Sequence, residues 1–147
     1  MTQVSRWKLR PEVWNQIFDI LLEAIAKTGS KEKANTLIGF LLTPTEKIVL
    51  AKRIVAALLL EKGASYQDIF QVVHLSTATV SKIKNRLEEN NQHKTLIRRL
   101  LSDRMLKKGV DSFLNSLVKV LASYGKGSRS WRQLTREIDK DLREQIL

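Results

Sequence analysis

Apolar residues recur along this chain at spacings of three and four, the repeat of a helix that buries one stripe. Trp14, Ile17, Phe18, Leu21, Leu22 and Ile25 form the first such stripe. The helix that carries it is predicted to start at Pro11, a position where a missing N–H is no loss. Thr28-Gly29-Ser30 ends it, and Ser30 is placed to cap a second, shorter helix that reaches Leu42 and carries Leu37, Phe40 and Leu41. Thr43-Pro44-Thr45-Glu46 has the pattern of a capping box, in which each of Thr43 and Glu46 accepts from the other's backbone N–H. The helix that follows runs through Ile48, Leu50, Ile54 and Val55 to Leu60 and stops at Gly63. Its second half, Ile54 to Leu60, is apolar on every side, which predicts burial on every side and a second subunit supplying part of the cover.

Ser65, with Asp68 three residues on, caps a short helix to about Val72. Val73-His74-Leu75 reads as a turn, and Ser76 or Thr77 starts a helix that reaches about Asn90. Asn90-Asn91-Gln92 is a break. Three more helices are predicted over 94–108, 110–124 and 131–146, separated by Gly109 and by Gly125-Lys126-Gly127-Ser128-Arg129-Ser130. No run alternates polar and β-branched residues, and only two prolines and six glycines occur. The fold class is all-α.

Charge changes the picture most. Across 147 residues, 26 Lys and Arg against 15 Asp and Glu leave a net charge of +11, which favours an anionic partner, nucleic acid ahead of an acidic membrane surface. Residues 92–147 hold 13 basic and 6 acidic side chains, so most of the excess lies there. With no cysteine, disulfides, thiolate zinc sites and cysteine nucleophiles are excluded. The longest apolar run is too short to cross a bilayer, and no apolar segment of a secretion signal follows Arg6, Lys8 and Arg10, so the expected location is the cytoplasm. His74 and His93 show no metal-ligand spacing, and no carboxylate pair or Ser/His/Asp set stands out. The chain reads as a protein without metal, cofactor or enzymatic activity.

The most informative stretch is Ser65 to Leu87. A short helix, a tight turn and a second helix describe a helix-turn-helix. On the second helix, Val80, Ile83 and Leu87 share one face and are predicted to pack on the scaffold. Ala78, Ser81, Lys82 and Asn85 share the other, flanked by Thr77 and Thr79. That face is small and rich in hydroxyls, which suits insertion into a major groove about 12 Å wide. Thr and Ala methyls can touch thymine methyls, Ser, Thr and Asn can read base edges, and Lys can take a guanine edge or a phosphate. Lys84 and Arg86 suit phosphates. His74 stands where glycine is usual in such turns, and His is among the non-glycine types enriched in the left-handed region.

Leu41-Leu42-Thr43-Pro44-Thr45-Glu46, then Arg53, then Ser76-Thr77-Ala78-Thr79-Val80-Ser81-Lys82 resembles the Trp repressor superfamily, and its Trp-repressor-like branch more than the tryptophan-sensing repressor. The close resemblance covers residues 41–87 and a looser one reaches back to Trp14. It implies an intertwined homodimer of helical bundles that places two recognition helices in successive major grooves of a palindromic double-stranded operator. It implies that Thr77, Ala78, Thr79 and Ser81 face base edges and that Tyr66 and Gln67 lie near the DNA backbone. It also places Thr43 and Arg53 at a corepressor site, where the family holds an indole between two arginines. Lys82 stands at the second arginine position, and an ammonium does not stack as a guanidinium does. Ile83 replaces a glycine that leaves room for the ligand, and Arg86 replaces a small serine. Tryptophan is therefore not the expected ligand, and binding without an effector is the simpler reading, with a different small-molecule effector as the alternative.

Residues 1–91 are thus read as the Trp-repressor-like core and residues 92–147 as a basic helical extension. Three features stay open. Arg53 serves either a remnant ligand site or an ion pair; Trp7 belongs either to a DNA-contacting arm or to a staple on the first helix; the Gly125–Arg132 loop either follows phosphates or connects helices. The leading function is a sequence-specific DNA-binding transcriptional regulator, a repressor. Two rivals come from other classes: a non-specific architectural or single-stranded nucleic-acid binder driven by the C-terminal charge, and a DNA-blind protein-interaction adaptor.

Overall fold

The computed structural model describes residues 8–123 and residue 136. Trp7, the Gly125–Arg132 loop and, residue 136 apart, the helix expected over 131–146 lie outside the described residues. Among the described residues there are seven helices and no strand: α1 (Pro11–Ala26), α2 (Lys31–Leu41), α3 (Pro44–Glu61), α4 (Tyr66–Val73), α5 (Thr77–Glu89), α6 (Asn91–Ser102) and α7 (Arg104–Ser123).

Local capping chemistry sets most of these boundaries. Ser30 Oγ accepts from the Lys33 N–H at 3.2 Å and opens α2. At α3 the Thr43 N–H donates to Glu46 Oε2 at 2.8 Å while the Glu46 N–H donates to Thr43 Oγ1 at 3.3 Å, so the box closes in both directions. α3 ends in a Schellman motif. Ala64 N–H donates to the Leu59 carbonyl and Gly63 N–H to that of Leu60, both at 3.0 Å, with Gly63 at φ 88°, a conformation that residues with a side chain rarely adopt.

The chain forms two compact units, Met1–Ile48 and Val49–Leu147, with the boundary inside α3. In the first, neither α1 nor α2 has a buried residue. Trp14 and Phe18 stack on α1 with ring centroids 6.2 Å apart. The second unit holds the core. One cluster joins Ala56 and Leu59 of α3, Ile69, Val72 and Val73 of α4, Val80 of α5 and Leu114 of α7; the other joins Ala57, Leu58, Leu87 and Ile97. Of the apolar run in α3, Ala56 to Leu59 is buried and Ile54 is exposed.

The C-terminal helices depart from expectation. The break falls at Asp103, and Gly109 lies inside α7. Asp103 Oδ1 accepts from the N–H groups of Met105 and Leu106 at 3.0 and 2.9 Å, a cap strong enough to start a helix that absorbs the cost of one interior glycine, about 1 kcal/mol. α6 also begins earlier than the expected residue 94. Asn90 both ends α5 and caps α6, its Oδ1 accepting from the Gln92 N–H at 2.8 Å, which leaves no room for a longer break.

Candidate nucleic-acid interface

α4, the turn and α5 form the helix-turn-helix. Ser65 and Asp68 make a full capping box at the start of α4. The turn is carried by His74, left-handed at φ 55° and ψ 47°, whose N–H donates to the Phe70 carbonyl at 2.9 Å. α5 is capped by Ser76, whose Oγ accepts from the Thr79 N–H at 3.2 Å.

The two faces of α5 separate as its sequence pattern predicts. Val80 and Leu87 are buried, and Ile83 packs against both core clusters. Thr77, Ala78, Lys82 and Asn85 are exposed, with Ser81 and Thr79 half-buried beside them. Thr79 Oγ1 lies 2.9 Å from Ser76 Oγ, so its hydroxyl is engaged at the cap. Exposed Thr77 and Ala78 lie in the first turn of α5, where the positive end of the helix dipole also favours a polyanion.

Around that face sit the groups assigned to the DNA backbone. Tyr66 and Gln67 open α4, Tyr66 half-buried and Gln67 exposed. The Lys84 ammonium lies 5.6 Å from the centre of the Tyr66 ring and 3.8 Å from Glu88 Oε1. These contacts join two residues singled out separately, because the ring's negative face and the carboxylate both hold the ammonium. Arg86 is exposed, and its backbone carbonyl lies 2.9 Å from His93 Nδ1, which ties the end of α5 to the first turn of α6. His93 is thus structural. Among the described residues no group of His, Asp or Glu is arranged to hold a metal.

A cleft of about 390 Å³ opens between α3 and α5, lined by Arg53, Thr79, Lys82, Ile83, Asn85, Arg86 and Glu89. Three cations and one carboxylate make it a polar cleft, and Ile83 lies in its wall. Arg53 is exposed and makes no ion pair among the described residues. Thr43 is committed to the capping box that starts α3.

Several contributors were not singled out from sequence. Glu89 completes the cleft. Val110 and Leu114 of α7 reach the core around the helix-turn-helix, a pair visible in retrospect from their spacing of four. Lys62 and Asp111, 2.9 Å apart, are separated by 49 residues, and no local pattern announces that pairing. Among the described residues no helix is long and apolar enough to cross a membrane.

No curated protein and no solved structure was found to match the chain. The sequence model of one family, described as Trp repressor protein, matches residues 16–101. That span is more than half of the chain and contains the whole helix-turn-helix; the chain therefore belongs to the Trp repressor family of DNA-binding regulators.

Proposed function

We propose that this protein is a homodimeric, cytoplasmic transcriptional repressor that reads a palindromic double-stranded operator and needs no tryptophan to do so. The observation that carries the reading is α5 itself: Val80 and Leu87 anchor one face in the core while Thr77, Ala78, Lys82 and Asn85 stand exposed on the other. Ser81 and the Thr79 methyl complete the base-reading set. Tyr66, Gln67, Lys84 and Arg86 supply contacts to phosphates, which fix register without carrying sequence information. The second copy is supported by α1, which has no buried residue although Trp14, Ile17, Phe18, Leu21, Leu22 and Ile25 line it. The polar cleft beside Arg53, narrowed by Ile83 and crowded by Lys82 and Arg86, suits an indole poorly.

Selection of bound duplexes from a random pool, at near-physiological salt with no added ligand, tests this. The expected product is a palindrome with half-sites about one helical turn apart. On that operator Lys82→Ala costs about 1–3 kcal/mol and relaxes preference at one position, whereas Lys84→Ala weakens all sequences and lowers the salt slope by about 1. Equal, sequence-independent losses in both variants remove Lys82 from the reading set. Binding that vanishes with salt and enriches no sequence replaces the repressor by a non-specific binder.

A further inference from the structure

The family match ends at residue 101, and α7 begins at Arg104. Yet α7 reaches the middle of the DNA-reading unit. Leu114, fully buried, belongs to the cluster that includes Ile69, Val72 and Val73 of α4 and Val80 of α5. Val110, one turn earlier, packs against both clusters. Beside it Asp111 is 2 % exposed, and its Oδ1 accepts from Lys62 Nζ at 2.9 Å. Lys62 follows the last residue of α3 and stands three residues before Ser65, the cap of α4.

A buried ion pair gains little over an apolar pair of similar volume, so net stability is a poor account of these two charges. What such a pair fixes is geometry. The carboxylate meets Lys62 only when α7 is turned so that Asp111 faces the end of α3, and that rotation carries Leu114, one turn on, into the core under α4 and α5. We propose that α7 is a positioning strut for the helix-turn-helix, with Lys62, Asp111 and Leu114 holding α4 and α5 in the arrangement that reads DNA. The strut lies outside the family span and makes that arrangement independent of any bound effector. The proposal rests on the DNA-reading function given above.

The test uses the full chain and three variants: Leu114→Ala, Asp111→Asn, and the double variant Lys62→Met with Asp111→Leu. Amide exchange is followed without DNA at a temperature where circular dichroism shows complete folding. Affinity is measured for the selected operator and for an unrelated duplex. Leu114→Ala is expected to speed exchange selectively in residues 66–89. It raises the operator Kd about tenfold if the competent arrangement falls to about one molecule in ten. Affinity for the unrelated duplex, which charge alone supplies, stays the same. Asp111→Asn gives a smaller change of the same kind. The double variant separates positioning from packing: it keeps the melting temperature of the parent but loses operator affinity severalfold. Exchange that rises uniformly, or a double variant that recovers stability and affinity together, overturns the proposal. Should Leu114→Ala not fold, the double variant still decides. If the parent enriches no operator, the repressor reading fails by itself, and the strut stands or falls on the exchange pattern.

Discussion

His74 holds the tightest point of the helix-turn-helix in a left-handed conformation that most side chains avoid, and it does so exposed to solvent. Its backbone is committed through the N–H bond to Phe70, so the strain cannot relax without opening the end of α4. Glycine at this position relieves the strain but adds freedom to the unfolded chain, and the two effects oppose. His74→Gly is therefore expected within about 1 kcal/mol of the parent, while the β-branched His74→Val costs about 1–2 kcal/mol. Urea denaturation of the three proteins measures both. A Val variant as stable as the parent would show that the turn adopts another backbone path. The same residue illustrates what could be read beforehand. A non-glycine turn residue was visible in the chain, and the need for a positive φ followed from the helices on either side. That the Thr79 hydroxyl is engaged by Ser76 was not visible, because base reading and capping draw on the same residue types.

Helix starts were legible at four caps with a partner three residues on: Ser30 with Lys33, Thr43 with Glu46, Ser65 with Asp68, Ser76 with Thr79. The break at Asp103 was missed because Gly109 is the stronger generic stop, and only the carboxylate's two bonds to Met105 and Leu106 decide against it. Pairings across long stretches of chain, Lys62 with Asp111 above all, leave no periodic trace. The box at α3 has a consequence for acid stability. The Thr43 backbone N–H, and then its hydroxyl, hold the Glu46 carboxyl below its ordinary value of 4.5. Because the folded value is the lower one, the box contributes fully above the ordinary value, and its contribution fades as pH falls through the lowered one. Glu46→Ala is expected to destabilise at neutral pH and to converge on the parent in acid. Denaturation midpoints followed from neutral pH to about pH 3 check this. A difference that stays constant across that range would assign the loss to helix packing instead of the carboxylate.

At the scale of the whole molecule, the question is what covers the apolar surface of the first unit. Trp14 is 55 % exposed and Leu22 48 %, and the stripe they share with Ile17, Phe18, Leu21 and Ile25 continues along the length of α1. Isolated apolar residues at a surface need no partner, but a contiguous stripe along one helix marks an interaction surface. Its extent was legible from spacing alone; the identity of the partner was not, since a stripe looks the same facing its own core or a second chain. A self-complementary partner fits a reader of palindromes, whose two recognition helices need a two-fold axis and a separation of about 34–36 Å. Two chains at +11 each also repel, so the proposed dimer is expected to be apolar in origin and to strengthen with salt, opposite to DNA binding. The melting temperature is then expected to rise with protein concentration, as it does for any assembly that binds only the folded state. Phe18→Asp supplies the sharper contrast. On a folded monomer an exposed substitution stays within about 0.5 kcal/mol, whereas at a buried dimer interface it leaves a charge without a partner and separates the chains. Sedimentation equilibrium of the parent and the variant reads the difference directly. A parent that sediments as a monomer, with a melting temperature independent of concentration, would remove the two-fold axis and with it the palindromic operator.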